Sequence, residues 1–138
     1  MNDKVFLDTN ILIYLYSESE SGKRNAACQS LNIYDCITSI QALNEASNVW
    51  GRKYGWSGEK IKNHLDNIET VCDEIVLIQK NTIKKALELK DDYGYSYYDC
   101  LMLASALEYK CGIILTEDMS NGQIIDGELK IINPFKGI

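Results

Sequence analysis

Short, unbroken apolar runs alternate along this chain with longer stretches in which apolar residues return every three or four positions. The first pattern marks strands buried on both faces and the second marks helices that bury one face. Residues 5–7 (Val5-Phe6-Leu7) read as a strand, followed by polar Asp8-Thr9-Asn10 and an apolar helical start over 11–16. After a polar break at 17–22, the pattern predicts a helix over 23–33 and a strand over 36–38. Ser39 is placed to cap a helix that runs to about Tyr54, with Trp50 on its apolar side. The Gly55-Trp56-Ser57-Gly58 stretch breaks it, and another helix follows to about Thr70.

The second half repeats the alternation: a strand over 74–78, a helix over 81–90, a loop over 91–95, and a helix opened by Ser96 that reaches Tyr109 or Lys110. A strand over 113–116 then ends in a polar turn over 117–123, and a last short strand over 129–132 precedes Pro134. Apolar strands alternating with helices imply a parallel sheet covered on both faces. In such sheets, sites gather beyond the carboxyl ends of the strands. No repeat, low-complexity tract or linker interrupts the pattern, so residues 1–138 are expected to form a single domain.

Composition narrows the function. With 46% hydrophobic residues, one Pro and 9 Gly, the chain has the material for a packed core and none of the marks of disorder. No apolar run approaches a membrane span, and Met1-Asn2-Asp3-Lys4 does not open like a signal peptide. A soluble, cytoplasmic protein is expected. The five cysteines are odd in number and contain no C-x-x-C pair, which argues against a disulfide framework or a cysteine-held zinc. Most of them suit small core positions. The single histidine, His64, rules out a paired-histidine zinc motif, and its lysine-flanked surroundings predict a solvated side chain. Net charge is −6, which disfavours binding nucleic acid over a broad basic face. It is compatible with an enzyme whose carboxylates gather in one pocket with cations.

Four acids stand where acids are unusual. Asp8 directly follows the first strand, where it would serve equally well as a helix N-cap. Glu45 lies on a helix with Ala42 one turn before and Val49 one turn after, beside the buried stripe; a solvent-reaching edge residue is the plainer account. Asp99 completes the capping-box pattern Ser96-Tyr97-Tyr98-Asp99, yet it opens a helix that is apolar almost all round, so its carboxylate is expected to face a crevice. Asp118 follows the fourth strand, among turn formers around Gly122.

Together they say more than singly. Two carboxylates about 4 Å apart repel by about 4 kcal/mol at an effective dielectric near 20, so a shared site requires protons or cations to offset the repulsion. Hard oxygen donors without His or Cys select Mg²⁺ or Mn²⁺ over zinc. Such ions activate water and steady phosphoryl charge, which points to phosphodiester hydrolysis.

The segments that carry these acids are Leu7-Asp8-Thr9-Asn10-Ile11-Leu12, the helix of Glu45, Tyr98-Asp99-Cys100-Leu101-Met102-Leu103-Ala104, and Thr116-Glu117-Asp118-Met119-Ser120-Asn121-Gly122-Gln123. In this order they resemble the PIN-domain nucleases, and most of all the VapC-type toxins of bacterial toxin–antitoxin pairs. The ending Ile131-Ile132-Asn133-Pro134-Phe135 is also similar to theirs, so the resemblance spans essentially the whole chain.

The resemblance implies a three-layer α/β/α sandwich with a central, mostly parallel sheet, and a metal-dependent endoribonuclease. It assigns Asp8, Glu45, Asp99 and Asp118 to metal binding and catalysis, with Asp8 and Asp99 on the tighter ion. Glu45 and Asp118 then serve a second ion or the attacking water. Thr9 matches the small hydroxyl residue that supports the first aspartate. Asn121 stands where many relatives carry a further acid, and it can still bond a metal-bound water. Glu117 is a substitute for that acid, although a strand-end neighbour of Asp118 should point the other way.

The resemblance also implies a homodimer and a small antitoxin that inserts a basic segment into the acidic pocket, where a guanidinium pairs with carboxylates. Candidate contacts to an RNA backbone are Lys23-Arg24, Arg52-Lys53, Lys60 with Lys62, and Lys84-Lys85; Tyr97 and Tyr98 are candidates for base stacking or for core packing. Two other functions fit the acids. One is a phosphatase of the aspartyl-phosphate type, which wants a second Asp where this chain has Asn10. The other is a non-enzymatic module whose acidic pocket takes a basic peptide or a structural metal.

Overall fold

The computed structural model describes residues 3–138; Met1 and Asn2, which begin the segment read above for a signal peptide, lie outside the described residues. Strand β1 (Lys4–Leu7) occupies the middle of a six-stranded sheet. It pairs in parallel with β2 (Asp35–Ser39) on one side and β4 (Ile113–Leu115) on the other. Beyond β2 lies β3 (Glu74–Val76), also parallel. Beyond β4 lies β6 (Leu129–Ile132), parallel again, and the sheet closes with β5 (Ile124–Ile125), giving the order β3-β2-β1-β4-β6-β5. Val5, Phe6, Leu7, Ile114 and Leu115 are buried, as central strands covered on both faces must be.

Among the described residues six helices flank the sheet: α1 (Thr9–Leu15), α2 (Ser21–Ile33), α3 (Ile40–Arg52), α4 (Gly58–Val71), α5 (Lys80–Tyr93) and α6 (Tyr97–Glu108). The expected α/β fold with a mostly parallel sheet is what the chain adopts. Helix α6 buries every residue from Cys100 to Ala106, in keeping with its nearly continuous apolar sequence. Cys36, Cys72, Cys100 and Cys111 are buried core residues, while Cys28 is exposed.

The structure departs from the periodic reading at element ends. Helix α1 begins at Thr9, not Ile11, because Asp8 itself caps it. Helix α5 runs on to Tyr93, where Gly94 at φ 75° returns its N–H to the Lys90 carbonyl, so most of the expected 91–95 loop is helical. Strand β5 had no counterpart in the pattern, being only Ile124 and Ile125. It pairs antiparallel with β6 through a turn in which Asp126 and Gly127 take φ values of 51° and 69°. The Glu128 N–H closes that turn on the Ile125 carbonyl at 3.0 Å. Asp-Gly is the dipeptide such a turn favours, so the signal was in the sequence.

Two strand ends and two helices position the site. Asp8 leaves the carboxyl end of β1, and Asp118 stands three residues beyond β4 on the same edge. Helix α3 starts on that edge as well, held by the buried Ser39, whose Oγ accepts from the Ala42 N–H at 3.1 Å. Ser39→Ala is expected to cost about 1 kcal/mol of stability, measured by chemical denaturation, because the α3 N-terminus loses its acceptor.

Candidate active site

The first aspartate is gripped on both oxygens. Asp8 is 4% exposed. Its Oδ1 accepts from the Thr9 N–H at 2.7 Å and its Oδ2 from the Thr116 hydroxyl at 2.8 Å. Thr116, wholly buried, also accepts from the Asp118 N–H and from Asn10 Nδ2, each at 3.2 Å. Its hydroxyl therefore ties the ends of β1 and β4 together and fixes the rotamer of Asp8. Thr116→Val strands two donors and one carboxylate oxygen. The expected loss is about 1–3 kcal/mol of stability, read by denaturation, with a further rise in the pKa of Asp8, whose charge the hydroxyl favours.

The other acids arrive from separate elements. Asp99 sits in the first turn of α6, whose N-cap Ser96 accepts from the Asp99 N–H at 3.2 Å. Glu45 projects from the middle of α3, its Oε2 accepting from the Thr9 hydroxyl at 3.4 Å. Asp118 is exposed, and its Oδ2 accepts from Asn10 Nδ2 at 3.0 Å. All four line one crevice of about 230 Å³, together with Thr9, Asn10, Ile13, Val49, Tyr98 and Met102. No Lys, Arg or His is among these lining residues.

Burial and crowding make the charges costly. Asp8 is pushed from its ordinary 3.8 up to about 7, chiefly by burial, with the charges of Asp99 and Asp118 adding to the rise against the two hydrogen bonds. Glu45 and Asp99 are raised in the same way, burial first, then the charge of Asp99 on Glu45 and of Asp118 on Asp99. These acids thus feel one another although they come from four parts of the chain. Among the described residues no three acids, histidines or cysteines are already closed around one coordination centre. The donor chemistry nonetheless suits a divalent ion: hard oxygens, mutually repelling, with no basic side chain in the lining to neutralise them.

Several expected helpers take other partners. Thr9 supports Asp8 through its backbone N–H, and its hydroxyl turns to Glu45, so the hydroxyl support comes from Thr116 instead. The Asn121 side-chain carbonyl accepts from the Asn133 N–H at 2.8 Å, pinning the chain after β6, and Asn121 is not among the crevice-lining residues. Glu117 points away from the acids, accepting from Tyr14 at 2.8 Å and pairing with Lys23 at 3.0 Å. That pairing also engages Lys23, and Lys85 pairs with Asp126 at 2.6 Å. Tyr97 packs against the core, whereas Tyr98 is exposed on the crevice wall.

The reading of His64 as a solvated surface side chain is corrected. It is half-buried, its Nδ1 lies 2.8 Å from the Lys60 carbonyl, and its ring centre lies 4.5 Å from that of Trp56 and 4.6 Å from that of Tyr16. Lys60, one turn before it, shares its face and brings its Nζ to 4.2 Å from the centre of the same Trp56 ring. Sequence reasoning also missed Thr116 and Asn10 as organisers of the site. Asn10 follows Asp8 by two residues, where a phosphatase would carry its acid, and here its amide donates to Thr116 and Asp118.

Residues 5–120 match the PIN domain family, and the chain belongs to it. No curated protein sequence matches the chain. Among solved structures, it is similar to a chain of a toxin–antitoxin complex from Klebsiella pneumoniae, with 22% identity, a TM-score of 0.71, and coverage of 94% of this chain and 97% of that one. It is similar to VapC20 of Mycobacterium tuberculosis, a toxin that cleaves the sarcin–ricin loop, at 17% identity, a TM-score of 0.64, and coverage of 80% and 86%. A chain of VapBC2 from Rickettsia felis, solved on a DNA fragment of its promoter, has 16% identity, a TM-score of 0.67 and coverage of 94% and 99%.

Proposed function

We propose that the chain is a Mg²⁺- or Mn²⁺-dependent endoribonuclease and the toxin of a toxin–antitoxin pair. The observation that carries this reading is the crevice at the carboxyl edge of the sheet, which Asp8, Glu45, Asp99 and Asp118 line with no basic residue among the lining residues. Membership of the PIN family and the likeness to the RNA-cleaving VapC20 support it.

Asp8 and Asp99 would hold the ion, with Glu45 and Asp118 completing the set or orienting the attacking water. A bound divalent ion supplies a water of lowered pKa and a positive centre beside the phosphoryl oxygens. The chain does the positioning. The Thr9 N–H and the Thr116 hydroxyl hold both oxygens of Asp8, and Asn10 holds Asp118, so the donors are oriented before substrate arrives. Acids left uncompensated also suit an antitoxin that presents a basic segment, whose guanidinium pairs with two carboxylate oxygens at once. The likeness to chains from toxin–antitoxin complexes supports that partner.

The test is cleavage of RNA by the purified chain with Mg²⁺, with Mn²⁺ and with EDTA, at matched thermal stability. Cleavage with either metal and none with EDTA is expected. A protein stabilised by metal that cuts no RNA would be a binding module, and equal cleavage in EDTA would remove the metal from the account.

A further inference from the structure

A second cavity, of about 220 Å³, adjoins the acidic crevice, and Ile13 lines both. Its walls include Tyr16, Trp50, Tyr54 and Trp56. The sequence builds it with one reversal of the chain. After α3, Gly55 takes φ 67°, and the Trp56 N–H returns to the Trp50 carbonyl at 3.0 Å. That fold-back lays the Trp56 ring on Trp50, with ring centres 5.1 Å apart and planes 12° from parallel. Trp50 is buried, Trp56 half-buried, and Tyr54 46% exposed.

Two cations stand at these rings. Lys60 Nζ lies 4.2 Å from the centre of Trp56 and Lys53 Nζ 5.6 Å from that of Tyr54. The remaining lining, Ser17, Glu18 and Ser19, is polar. A core needs no such opening, and a hollow lined by aromatic rings is costly to leave open to solvent. Trp56 already has Trp50 on one side and Lys60 over its ring, so the exposed Tyr54 offers the stacking face. With two lysines in an otherwise acidic protein, it describes a site for a nucleobase with its phosphate.

We infer that this aromatic cavity binds an unpaired base of an RNA strand whose backbone continues into the acidic crevice across Ile13. The inference rests on the ribonuclease reading for the identity of the strand. Base–aromatic stacking tolerates every base, so the cavity would grip single-stranded RNA and disfavour a paired helix. Lys53 and Lys60 would meet the backbone outside the four-acid crevice.

The experiment uses Asp99→Asn protein with Mg²⁺, so that bound RNA stays whole, and reads intrinsic tryptophan fluorescence together with anisotropy of a labelled RNA. The chain has two tryptophans, Trp50 and Trp56, so the fluorescence reports on this cavity alone. An unstructured single-stranded RNA should quench it, and the same RNA with abasic riboses should not. Tyr54→Ala, added at an exposed position, should weaken binding of the intact RNA by about 10-fold and leave that of the abasic RNA unchanged. Trp56→Leu, checked for folding by its melting curve, should weaken it similarly. Equal affinity for intact and abasic RNA, or quenching by an aromatic peptide in place of RNA, would overturn the proposal. Cleavage by the unsubstituted protein is scored separately: cutting without quenching removes the cavity, and quenching without cutting removes the nuclease.

Discussion

Asp99→Asn is expected to lower RNA cleavage by on the order of 10³-fold while the protein stays folded. The carboxylate is half-buried in the first turn of α6, and the N-cap bond runs from its backbone N–H to Ser96, which the substitution does not touch. What changes is one negative oxygen among four acids. If Asp99 binds a divalent ion, an amide in its place loses most of the attraction while keeping size and shape. Removing the charge also relieves Glu45 and Asp8, whose pKa values Asp99 raises, so the metal-free melting temperature should hold or rise. The measurement pairs initial cleavage rates with melting curves. A folded variant that cleaves at the unsubstituted rate would remove Asp99 from the chemistry. Asp8→Asn should be equally inactive, with a lost bond to the Thr9 N–H or the Thr116 hydroxyl set against relief of the buried charge.

The second large effect is on stability against pH. In the folded chain Asp8 keeps its proton up to about 7, whereas in the unfolded chain it gives the proton up near 3.8. Between those values the folded state binds more protons, so the metal-free protein loses stability as pH rises through the window. The full effect is about 4 kcal/mol, or about 15 °C in melting temperature. Burial raises Glu45 and Asp99 in the same direction. Asp126 opposes them, since its bond to Lys85 holds its carboxyl below the ordinary value and its contribution fades only in acid. Melting curves in EDTA at pH 5 and pH 8 should show the lower temperature at pH 8. Millimolar Mn²⁺ should restore it most at pH 8, where protons no longer compete for the carboxylates. A metal-free melting temperature that climbs from pH 5 to pH 8 would contradict the buried, crowded placement of Asp8.

The sequence made the outline of this site legible for a physical reason. Asp8 and Asp118 interrupt apolar strands at their carboxyl ends, and Asp99 opens a helix with almost no polar face, so each breaks a strong local pattern. The capping roles considered for Asp8 and Asp99 are compatible with the site: Asp8 caps α1 and lines the crevice at once. What escaped was whatever breaks no pattern. Thr116 looks like any β-branched residue ending a strand, yet its single hydroxyl joins Asp8, Asn10 and Asp118. The lysines near His64 suggest a wet face, but its ring meets Tyr16 and Trp56, and Lys60, one turn earlier, brings its Nζ over the same Trp56 ring. Asn121 resembled a site residue by position, while the backbone after β6 claims its side chain. The two-residue β5 falls below the length at which periodicity can be read.

Catalysis of the proposed kind requires a divalent ion to be drawn to this one crevice. The most direct measurement is a crystal of the protein soaked in Mn²⁺ at pH 8 and recorded at a wavelength where manganese scatters anomalously. An anomalous peak about 2 Å from carboxylate oxygens of both Asp8 and Asp99 is the predicted result. A peak elsewhere on the molecule with this crevice bare, in crystals where the acids are free of neighbouring chains, would contradict it.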